Sequence, residues 1–290
     1  MLLDSARSTA QHRQTSDGGP RGRRGHQGPR QGEKRDVSDF DAALARCGAL
    51  DEDVLGRPWS WHGAQLDVRY ALYRTLENAQ EALVRVAAGS HPESRRILAL
   101  AQRAFGSLRG LLAGLPGALL DKAPRAGEWP LRETLGHTLA VEQRYALQTR
   151  YAVDREDVDP MRIPDDRLPP TAPMSVGGEI EAVLARLAEA RAETSRLLGA
   201  VAPAAMTRPT VWVGAAVDVR FRLHRFAAHV VEHTIQCEKT LHALGWRQSE
   251  GRLIARRVAA VVGEIEGLGA ERDAREIETR LTERLASVAS

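Results

Sequence analysis

Cysteine is nearly missing from this chain: Cys47 and Cys237 are the only two in 290 residues. That is too few for a disulfide framework, and a reduced, cytoplasmic setting is the expectation. Aromatic residues make up only 4%. A chain poor in Phe, Tyr and Trp but rich in Ala, Leu, Arg and Glu favours helix over sheet. Nothing approaches the roughly 18 consecutive apolar residues of a membrane span. The start "MLLDSARSTAQHRQ" has no charged region followed by an apolar run, so no signal peptide is expected. A surplus of positive charge is also missing from most of the chain. Residues 1–35 hold eight Arg or Lys against three acids, whereas the whole chain is only +3, which leaves 36–290 at −2. The sequence pI of 9.1 therefore belongs to the first residues, and nucleic-acid binding is not expected of the remainder.

What is present is helical periodicity. Residues 1–36 include "TSDGGPRGRRGHQGPRQGEKRD", a Gly-, Pro- and Arg-rich run without an apolar period, read as a disordered basic tail. Helices are expected at 38–47, 64–88, 93–120, 131–153, 177–200, 216–244, 249–267 and 271–287. The breaks between them carry Gly, Pro and capping residues. Only "TVWVG" (210–214) is strand-like, and it is too short to carry a fold. The fold class is therefore all-α. The stretch "WHGAQLDVRYALYR" (61–74) recurs without gaps as "WVGAAVDVRFRLHR" (212–225), at a spacing of 151. Each copy reads as a turn, an aspartate at a helix start and an amphipathic helix. His229, His233 and Cys237 fall opposite Asn78, Ala82 and Val86, so a helix of this kind does not need imidazoles to hold it together.

In the later copy, Val219, Leu223, Phe226, Val230, His233, Cys237, Leu241 and Leu244 form a core-facing stripe. His229 lies one turn before His233. Residues four apart on a helix have Cβ atoms about 5–6 Å apart, so both rings can reach one divalent ion. His224 lies toward the opposite face and is set aside. The alternative for the pair is a satisfied core. A third histidine, His137, sits two turns into the helix opened by "GEWPLRETLGH" (127–137), and the same helix carries Glu142.

These stretches, "GEWPLRETLGH" and "RLHRFAAHVVEHTIQCEKTLHALGW", resemble the DinB/YfiT-like metal-dependent four-helix bundles, over about 94–246. The resemblance implies a bundle holding zinc or nickel through His137, His229 and His233. It also implies a small-molecule substrate, together with a small thiol such as mycothiol in S-transferases and a related isomerase. Residues 37–93 and 247–290 then read as helical extensions. Three histidine ligands leave a coordination position open, as in catalytic rather than structural zinc sites. Glu142 and Glu232 are the candidate carboxylates for orienting a ligand ring or moving a proton. Cys237 reads as a small buried apolar residue or a fourth ligand, and Trp212 and Trp246 as staples at the ends of the histidine helix. Two other readings compete. "HVVEH" (229–233) fits the H-x-x-E-H pattern of inverted-zincin peptidases. The bundle could instead serve as a non-catalytic interaction or regulatory module, as a homodimer.

Overall fold

A computed structural model describes residues 39–168 and 176–289; the basic run read as a tail lies outside them. The helices are α1 (Asp39–Gly48), α2 (Glu52–Leu55), α3 (Val68–Ala87), α4 (Glu93–Leu112), α5 (Leu131–Asp154), α6 (Ile180–Leu198), α7 (Val219–Ala243), α8 (Glu250–Gly267) and α9 (Glu271–Ala289). The all-α reading is met. No helix among the described residues is long and apolar enough to cross a membrane.

Two of the expected helices start later than their periodicity suggested, because their first residues are strands. Strands β1 (Pro58–Trp61) and β2 (Ala64–Asp67) pair antiparallel, as do β3 (Pro209–Trp212) and β4 (Ala215–Asp218). "TVWVG" is thus half of a hairpin. Each hairpin turns through two residues in the left-handed region, His62 (φ 48°) with Gly63 (φ 83°), and Val213 (φ 49°) with Gly214 (φ 81°). Two successive positive φ values match the twist of the flanking strands, and Gly adopts them without a Cβ penalty. Asp67 and Asp218 end the strands in extended backbone, and each side chain accepts from the N–H three residues on, Tyr70 and Phe221. They therefore cap α3 and α7. Downstream, the helix expected to run to 120 stops at Leu112, where Gly114 takes a positive φ and Pro116 comes two residues later.

Apart from the four-residue α2, the described helices form two groups of four. α4, α5, α6 and α7 bury Phe105, Leu108, Leu135, Leu187, Phe226 and Val230 among themselves. α1, α3, α8 and α9 bury Phe40, Leu44, Leu72, Val258, Ile277 and Leu281. The segments on either side of 93–246 therefore share one core, built from both ends of the described chain.

The groups meet where α4 packs antiparallel on α8, and glycines bring the backbones together. A Cβ at Gly263 would lie 2.5 Å from Gln102 O, and one at Gly106 would overlap Ala259 O. A Cβ at Gly110 would be 2.7 Å from Arg256 Cα, and one at Gly267 2.6 Å from Ala99 Cα. These contacts are reciprocal. Gly106 and Gly263, Gly110 and Gly267, Ala99 and Arg256, and Gln102 and Ala259 are all separated by the same 157 residues. The hairpin helices obey a matching rule at a spacing of 151: Arg69 pairs with Glu250 at 2.8 Å, and Arg220 with Glu93 at 2.6 Å. Arg74 lies over Trp61 as Arg225 lies over Trp212. The echo in the sequence is thus one part of an approximate twofold that relates the two four-helix groups.

Candidate metal centre

Three imidazoles converge in the α4–α7 group. α7 supplies His229 and His233, each 6% exposed, one helical turn apart on the inward side. α5 supplies His137, which is half-buried. The Nε2 atoms of His233 and His229 are 2.9 Å apart, and those of His229 and His137 are 3.4 Å apart. One ligand nitrogen from each ring lies within 4.8 Å of the others. His224 is exposed on the far side of α7.

The donor set fits a divalent ion. Nitrogens bound at ~2.0–2.1 Å in a tetrahedral site stand about 3.3 Å from one another, close to the two separations observed. His233 Nδ1–H donates to Gln236 Oε1 at 3.0 Å, which leaves its Nε2 lone pair facing the cluster. His229 Nε2 faces both neighbours but carries either one proton or one lone pair. It can therefore serve only one of the two contacts as a neutral hydrogen bond. A cation among the three nitrogens would satisfy all of them.

Electrostatics favour the ligating, neutral rings. Burial pulls the His229 pKa down to about 3, reinforced by His233, His137 and Arg225. Burial also lowers His137, with His233 adding to the effect and Glu232 opposing it. Burial lowers His233 too, against the pull of Gln236 and Glu232.

His137 and His233 open onto a cavity of about 1290 Å³, which Trp129, Glu232, Gln236 and Trp246 also line. The Trp129 ring centroid is 5.4 Å from that of His137. The two candidate carboxylates lie in different places. Glu232 is on the cavity wall, largely exposed and 3.8 Å from Arg225. Glu142 is 3% exposed in the core, accepting from Arg191 Nη1 at 2.6 Å and Thr194 Oγ1 at 2.6 Å. It is not among the residues lining the cavity. Cys237 sits fully buried against leucines, its thiol pushed up to about 12 by burial. It does not join the ligand group, and neither does any carboxylate among the described residues.

Several residues of the site carried no signal in the sequence reading. Gln236 lies one turn beyond His233 and is legible only once the direction of the ring is known. Trp246, read as a staple, lines the cavity and also lies under Arg252. Outside the cluster, Arg222, 4% exposed, looks in sequence like a residue on the polar face of the helix.

No curated protein and no solved structure matches the chain. Residues 100–237 match the family model of the DinB superfamily. That span runs from within α4 to within α7 and contains all three histidines. Over that span, just under half of the chain, the sequence is similar to the DinB superfamily, and the helical architecture and the order of the histidines agree with the match.

Proposed function

We propose that this chain is a metal-dependent enzyme, a thiol S-transferase or related isomerase, holding one zinc or nickel ion through His137, His229 and His233. The observation that carries the reading is the convergence of two buried rings and one half-buried ring from two helices at the edge of a substrate-sized cavity. The twin four-helix group supports it from within the molecule. There the positions of His229 and His233 are Asn78 and Ala82, and the fold is kept without the cluster.

A bound ion would supply Lewis acidity, which makes a thiol or water a stronger acid. The residues of the chain do the rest. Gln236 fixes the His233 ring with Nε2 inward. Trp129 and Trp246 give the cavity apolar walls that shield the reacting atoms from water. Glu232, not Glu142, is assigned the proton-moving role, because its carboxylate lies on the cavity wall. In the transfer the thiol sulfur forms a bond to an electrophilic carbon, the S–H proton passes to Glu232, and the leaving group departs with its electron pair. Glu142 is assigned to holding α5 against α6.

The test is conjugation of low-molecular-weight thiols to 1-chloro-2,4-dinitrobenzene by zinc- or nickel-loaded protein, with cysteine, glutathione and mycothiol each in turn. Conjugation above the metal-free rate is expected with at least one thiol. It should be abolished in His137→Ala and lowered about 100-fold in Glu232→Gln. No metal-dependent rate with any thiol would overturn the assigned reaction.

A further inference from the structure

A smaller cavity, of about 380 Å³, is lined by Tyr145, whose ring also packs 5.6 Å from that of His229. Its eleven lining residues include three arginines, Arg144, Arg162 and Arg222, and no aspartate or glutamate. Arg162 is exposed and paired with Asp165, so it contributes little. Arg222 is different. It is 4% exposed, and its partners carry no negative charge: Thr149 Oγ1 at 3.2 Å, Val211 O at 2.9 Å and Gln148 Oε1 at 2.5 Å, with the Tyr145 ring 5.8 Å from the guanidinium carbon. Burial lowers its pKa to about 10, so it still carries its charge at neutral pH. Of the other buried arginines in this group, Arg191 has Glu142 as a counter-ion, and Arg155 donates to the backbone carbonyls of Glu156, Asp159 and Pro209 and does not line this cavity.

A buried charge without a counter-ion destabilises a fold unless something compensates it. The twin four-helix group shows that the fold does not require this one, because the position equivalent to Arg222 is Ala71. The three neutral acceptors hold the guanidinium rigidly and use three of its five N–H groups. One N–H is left on each terminal nitrogen, enough for two hydrogen bonds to a carboxylate. Arg144, half-buried and without an ion pair among the described residues, adds a second cation. Ile163, Val211 and Trp212 supply apolar wall.

We propose that this cavity is an anion-binding subsite, in which Arg222 and Arg144 take the carboxylate of a small organic acid whose apolar body lies against Trp212. A monoanion with an apolar body suits one buried and one half-buried cation better than a phosphate dianion does. The subsite stands apart from the metal reading, since neither arginine belongs to the histidine cluster.

The test is a titration of metal-free, full-length protein with benzoate, and separately with inorganic phosphate, following the indole N–H signal of Trp212 by NMR. Trp212→Phe assigns that signal. Benzoate is expected to shift it saturably, and phosphate is not. The affinity should fall at least about 10-fold in Arg144→Met and in Arg222→Met. Arg144 has no hydrogen bond or ion pair among the described residues, so its variant decides the matter if Arg222→Met does not fold. No saturable shift with benzoate, a preference for phosphate, or undiminished binding in Arg144→Met would each overturn the proposal. His137→Ala should bind benzoate as the parent does, so the subsite and the metal centre are judged separately.

Discussion

Replacing Glu142 with leucine separates a structural carboxylate from a catalytic one. Glu142 and Arg191 meet at 2.6 Å with side chains 3% and 1% exposed, so neither charge is screened by solvent. In Glu142→Leu the Arg191 guanidinium stays buried with only weak neutral partners, Leu98 O at 3.3 Å and Gln102 Oε1 at 3.4 Å. Breaking a buried pair from one side destabilises by about 3–5 kcal/mol. Native proteins hold about 5–15 kcal/mol in total, so this is a large fraction of the stability. Removing both charges in Glu142→Leu/Arg191→Met leaves no orphan, and stability should return to within about 1–2 kcal/mol of the parent. Urea unfolding followed by circular dichroism reads both quantities, and metal content is measured on the same samples. The reasoning fails if the single variant lies within about 1 kcal/mol of the parent. It fails equally if that variant keeps its stability but loses metal, which would put Glu142 in the metal centre after all.

Three further outcomes are expected. Gly263→Ala should destabilise by about 1–3 kcal/mol in thermal or urea unfolding despite the better helix propensity of alanine, because its Cβ would meet the backbone of α4; a neutral or stabilised variant would contradict the close α4–α8 packing. Gln236→Ala should weaken metal binding about 10–100-fold by freeing the His233 ring, as read by competition with a chelating dye. Burial raises both Cys47 and Cys237 to about 12, above the ordinary thiol value. Their thiolate forms are therefore scarce at pH 8, and both should resist a thiol reagent in native protein yet react in guanidinium, whereas rapid native labelling of either would contradict its burial.

The sequence exposes the parts of this molecule that repeat over short distances. Long amphipathic periods mark the helices, and the stripe through Phe226, Val230 and His233 shows which side of α7 faces the core. His137 is not fixed by spacing, since nothing local says which helix face meets α7; the family resemblance supplies it. The hairpins escape because four-residue strands are too short for an alternating pattern, and Ala64–Asp67 and Ala215–Asp218 continue the helical periods of α3 and α7. The twin group is hidden more deeply. Its four helices come from opposite ends of the chain, and its correspondences run at 151 for the hairpin helices but 157 for α4 and α8. No single self-alignment displays both. Glu142 and Arg222 mislead in opposite ways: a glutamate on an apolar face looks reactive until Arg191 is found beside it, and an arginine on a helix looks solvated until it is found buried without an acid.

The most direct test is the metal content of tag-free protein, reconstituted with zinc or nickel, desalted and measured by mass spectrometry alongside His137→Ala, His229→Ala and His233→Ala. The account predicts about one ion per parent chain, with each alanine variant losing it on desalting while keeping its helical spectrum. A parent that retains no metal, or variants that bind it as well as the parent, would contradict the three-histidine centre.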